Sequence, residues 1–155
     1  MTLGERIDLI DETVITWLRR WSEPILRISV AIVFVWFGAL KLFGVTPVAD
    51  LVADTVYWFD PDWVVPALGV FEIAVGVGLA FSIAPRLVLA LFALQMLGTF
   101  LVFVLQPEVA FQDGNPLLLT VEGEFVLKNL VLLAAGLVIG ASVPRRSEKQ
   151  HSPDG

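Results

Sequence analysis

The stretch PILRISVAIVFVWFGALKLF, residues 24–43, decides the fold. It holds only two charges, Arg27 and Lys41, each close to one end. Twenty residues at about 1.5 Å per residue span about 30 Å, the thickness of a hydrocarbon core. Three more runs of this kind follow, at about 62–82, 86–105 and 125–143. One such run can be the buried helix of a soluble protein, but four in succession predict membrane spans. The expected fold is all-α: a polytopic membrane protein with a four-transmembrane-helix bundle.

Composition agrees. The chain has 155 residues, of which 57% are hydrophobic and 17% charged, and its mean hydropathy is +0.81. A soluble domain is usually about a quarter charged. There is no cysteine, which excludes thiol redox chemistry and thiolate-bound metal. The one histidine, His151, lies in a polar tail, so no metal or haem site is expected within the bundle. Nucleotide-binding loops, dinucleotide fingerprints and nucleophile elbows are absent. No basic patch supports nucleic-acid binding.

Residues 1–23 read as a separate amphipathic segment. Leu3, Ile7, Ile10, Val14, Trp17, Leu18 and Trp21 recur at helical spacing, with acids and arginines elsewhere. The segment is expected to lie in the membrane interface or to pack on a partner's surface. Met1–Asp11 carries four charges and no apolar core, so no cleaved leader is expected. The bundle is expected over residues 24–143 and a disordered tail over 144–155.

Charge sets the expected orientation. Arg6, Arg19, Arg20, Arg27, Arg86, Arg145, Arg146 and Lys149 fall on one side of an even number of spans, and they are eight of the ten Lys and Arg residues. That side should be cytoplasmic, with both termini. The acidic loops, about 44–61 and 106–124, should face outward. Within the second, Gln112–Pro116 signals a turn, and Leu117–Val121 reads as a strand or as a segment lying on the outer mouth.

Polar residues within the spans are the candidate site. Glu72 lies near mid-depth of its span, where an unpaired carboxylate costs several kcal/mol. Gly69 and Gly76 share its face, so that face should pack against helices. Glu72 reads either as a proton carrier or ligand-binding group, or as a structural tie. Gln95 lies at similar depth, within reach of Glu72 or of a neighbouring helix. Lys41 and Lys128 are the two cations away from the basic side. Both are expected either to snorkel to the outer interface, or to form with Glu72 and Asn129 an outward pocket for an anionic or quinone-like head group. Glu124 and Lys128 also have the i,i+4 order of a helix ion pair.

Three motifs together carry a resemblance: Phe34-Val35-Trp36-Phe37-Gly38-Ala39-Leu40-Lys41, Gly69-Val70-Phe71-Glu72, and Gly123-Glu124-Phe125-Val126-Leu127-Lys128-Asn129. The chain resembles the DoxX-like superfamily of small four-helix membrane proteins, and within it the YkgB family. Asn129 stands where the last motif commonly has Asp. The resemblance implies a prokaryotic inner-membrane bundle. It implies association with quinone-linked oxidation of sulfur compounds, with membrane oxidoreductase complexes and with oxidant resistance. The expected function is therefore an accessory, redox-associated subunit rather than a stand-alone enzyme. It would bind a quinone or lipid-like ligand at Lys41, Glu72, Gln95, Lys128 and Asn129, with an oxidoreductase or a second copy as partner. The alternatives are a proton-coupled transporter using Glu72 and a structural adaptor. No catalytic residue is identified.

Overall fold

The computed structural model describes residues 3–143, with side chains from Ile10 onward. Its elements run α1 (Leu3–Leu42), α2 (Ala49–Thr55), α3 (Pro61–Ala80), α4 (Pro85–Phe100), α5 (Val102–Leu105), α6 (Pro107–Ala110), a short 3-10 turn (Gln112–Gly114) and α7 (Val121–Ala141). Four stretches are long and apolar enough to cross a membrane: Ile10–Leu42, Pro61–Ala80, Pro85–Leu105 and Val121–Ala141. Each contains or closely overlaps one of the four apolar runs. The all-α, four-span reading therefore holds. The tail, with His151 and the last three basic residues, lies outside the described residues.

Local chemistry explains the boundaries. Asp60 caps α3 by accepting from the Asp62 amide at 3.0 Å, and Pro61 opens the helix where its missing N–H is harmless. Thr120 caps α7 by accepting from the Gly123 amide at 3.1 Å. Ser82 and Ala84, at positive φ, make the tight reversal between α3 and α4, and Pro85 then starts α4. This end of the bundle is the turn end; the other, with α2 and residues 106–120, is the loop end.

The N-terminal segment is not a separate helix. α1 continues through Pro24, a proline inside its forty residues. Proline removes one backbone hydrogen bond and bends a helix without always ending it. The Leu117–Val121 stretch forms no strand. Leu119 makes a lone bridge to Phe111, and Leu117 is exposed.

α1 and α3 are the closest pair. A Cβ on Gly69 would lie 2.6 Å from the Gly38 carbonyl oxygen, so the two backbones touch there and neither glycine can carry a side chain without moving a helix. Two apolar clusters fill the bundle. One, toward the turn end, contains Val30, Phe34, Val75, Leu79, Phe92 and Ile139, with the Phe34 and Phe92 rings 5.0 Å apart. The smaller one, at the loop end, contains Val102, Ala110 and Val126. The candidate site lies between them.

Candidate functional site

The first span ends deeper than its sequence suggests. A Cβ on Gly69 would also lie 3.0 Å from the Lys41 Cβ and 3.2 Å from the Leu42 amide. The end of α1 is thus level with Gly69, eight residues into α3 and about 12 Å below its start at the usual rise per residue. The chain between the two helices is consequently not a plain surface loop. Thr46 and Thr55 are buried, and α2 packs against α3 and α5.

This depth denies Lys41 the route to water that snorkelling needs. Its side chain is buried and turns inward to Glu72. The Nζ donates to Oε2 at 2.7 Å and to Oε1 at 2.9 Å. Gln95 Nε2, from α4, donates to Oε1 at 2.8 Å. One carboxylate therefore joins three helices, with both oxygens satisfied by charged or polar donors. Charge-assisted bonds of this length are the strong kind. A buried pair holds when such bonds offset the loss of hydration.

Beside this cluster is a cavity of about 220 Å³. Lys41, Glu72, Gln95, Thr99 and Asn129 supply its polar wall. Phe34, Phe37, Leu68, Met96 and Val126 supply much of the apolar remainder, and Val48, Leu51, Val52, Thr55 and Trp58 come from α2 and its flanks at the loop end. Asn129 Nδ2 donates to the Phe125 carbonyl of its own helix at 3.2 Å, which fixes its orientation. Thr99 does likewise toward Gln95, donating to its carbonyl at 3.1 Å.

Four of the five expected site residues thus converge: Lys41, Glu72, Gln95 and Asn129. Lys128 does not. Its side chain is 76% exposed, lies outside the cavity lining and sits 3.8 Å from Glu124 Oε2 as an ordinary surface pair. The physical reason is helical phase. Lys128 and Asn129 are adjacent and so differ by about 100°, which turns one inward and the other out. With Lys128 outside and Lys41 matched by Glu72, the charges at the site cancel. The expectation of an anionic head group loses its basis.

Two residues went unread in the sequence. Gln106, buried at the junction of α5 and α6, donates through Nε2 to Thr55 Oγ1 at 3.0 Å, and Thr55 Oγ1 donates to the Leu51 carbonyl at 2.6 Å. This contact ties α2 to the third span. The available signal was an amide between the last apolar turn, Val102–Leu105, and the helix-opening Pro107. Among the described residues, no three His, Cys, Asp or Glu side chains come together as a metal site would require.

A family model, DoxX, matches residues 24–105, just over half of the chain. The match covers Lys41, Glu72 and Gln95 and stops before α7. No curated protein and no solved structure matches the chain.

Proposed function

The chain belongs to the DoxX family, and on that premise we propose that it holds a small amphiphile with a neutral, quinone-like head in its inter-helix cavity, as an accessory subunit of a membrane oxidoreductase. The single observation behind this reading is the Lys41–Glu72–Gln95 cluster on the wall of an otherwise mainly apolar cavity. A few convergent polar groups in an apolar cleft are the usual form of a ligand site. At about 220 Å³ the cavity is smaller than the roughly 300–1,000 Å³ of drug-sized sites. It suits a head group, with any long tail running out among the helices.

Lys41 and Gln95 carry N–H groups that can donate to a carbonyl oxygen, and Glu72 can accept from the hydroxyl of a reduced head. The pair's zero net charge favours a neutral head over an anion, because an anion would have to displace Glu72 from Lys41. The protein would bind and orient the head while a partner supplies or removes electrons. In this reading it sits in the inner membrane of a prokaryotic cell, with its basic turn end in the cytoplasm, and its loss weakens resistance to oxidants.

The test is organic extraction of protein purified in mild nonionic detergent, with redox difference spectra of the extract. Wild type should carry close to one equivalent of a redox-active amphiphile, and Glu72→Gln at least tenfold less. Equal content in both, or none in wild type, contradicts the reading. The cavity also places an acid beside its base partner, which favours a second reading as a small proton-coupled carrier. Solute uptake into proteoliposomes that Glu72→Gln abolishes would select that alternative.

A further inference from the structure

Every residue from Ile10 to Ser22 is exposed. Arg27 donates to Ser82 Oγ at 2.6 Å, which puts Arg27 level with the turn between α3 and α4. The helix before it therefore continues beyond the turn end of the bundle. Ile10, Val14, Trp17 and Trp21 all lie exposed there. They follow 4-3-4 spacing, and Leu3 and Ile7 extend the same 4-3 alternation backward in the sequence. This is the spacing of the a/d seam of a coiled coil, in which helices pair through an apolar stripe.

The stripe does not stop at the bundle. Ile25, Ile28 and Ile32 continue it, also exposed, after a single extra four-residue step at Trp21–Ile25. From Ile10 to Ile32 the positions advance by about 3.7 residues on average, close to the helical period, so they stay on one face for about 33 Å. This face is distinct from the one that meets α3, where Ala31, Phe34 and Gly38 are buried.

The geometry points to a second copy of this chain as the occupant: a two-fold dimer formed by parallel pairing of α1 with α1. The stripe crosses from the membrane-embedded half of the helix into the half beyond the bundle. A soluble partner can reach only the second half, and lipid alone leaves the regular spacing of that half without a role. A second copy inserted in the same membrane presents the same stripe over the same length and in the same direction. It satisfies both halves, as a self-complementary isologous interface requires. Charge agrees with the parallel register. With Ile7 and Val14 at a, Arg6 falls at g and Asp11 at the next e, five residues apart. In a parallel pair g and the following e of the partner helix are opposed, and a charge pair there sets orientation.

The absence of cysteine makes the test clean. Single-cysteine variants of the full chain would be oxidised with copper phenanthroline in native membranes. Val14→Cys, Trp17→Cys, Ile28→Cys and Ile32→Cys should each give at least fivefold more disulfide-linked species, at twice the 17.0 kDa chain mass, than Glu12→Cys or Arg19→Cys on the opposite face. Equal yields at all positions would overturn the proposal, as would cross-linked bands only at other masses. So would Val14→Cys that forms no dimer and is shielded from a water-soluble maleimide, since the segment would then lie on lipid.

Discussion

The two halves of the bundle are built for different ends. Toward the turn end, Phe92 is almost fully buried and its ring occupies the space beside Gly136, where a Cβ would collide with it. That half is close-packed and apolar. Toward the loop end the first span stops early, α2 folds over the opening, and a buried ion pair stands beside a cavity. A fully packed bundle would fill this space with aliphatic side chains. The contrast teaches that the turn half acts as the frame, whereas the loop half gives up packing for a polar wall and room beside it.

The contrast can be broken most severely in the frame. Phe92→Ala should cost about 4 kcal/mol, because large-to-small changes in a close-packed core leave a cavity, and thermal unfolding in detergent would register it. Next in size is the ion pair. Lys41→Met or Glu72→Leu alone should cost about 3 kcal/mol by leaving an unpaired buried charge. The double variant should recover most of that loss, since apolar replacement of a whole buried pair is often neutral. A double-mutant cycle on unfolding free energies checks this. If the double is as unstable as the sum of the singles, the pair is not the isolated unit described here.

Smaller effects should follow at the cover and the surface. Gln106→Ala removes the bond to Thr55 and should cost about 1–2 kcal/mol. Hydrogen exchange should then quicken in α2 while α3 stays protected. Lys128→Ala should change stability by less than about 0.5 kcal/mol, as exposed i,i+4 pairs usually do, and leave ligand content unchanged. A loss of ligand in Lys128→Ala would mean that this lysine reaches the site after all.

The four spans were legible because about twenty apolar residues have one economical place to go. The meeting of Glu72 with Gln95 was legible too, since each lies near the middle of its own run. Lys41 and Lys128 show where legibility ends. Both stood away from the basic side, and the sequence treats them alike. Their fates diverge because α1 ends level with Gly69, set by the close contact between α1 and α3, and because Lys128 lies one residue out of phase with Asn129. Neither fact is a property of a single segment. Pro24 posed a similar ambiguity: proline usually bounds a helix, yet here α1 runs through it.

The most direct test of the account is native mass spectrometry of the double variant Lys41→Met/Glu72→Leu beside wild type, both released from the same mild detergent. The account predicts wild type with a bound neutral amphiphile, and a double variant that is folded and carries none. A folded double variant that retains the same bound mass would contradict it, because the ligand would then owe nothing to the buried pair.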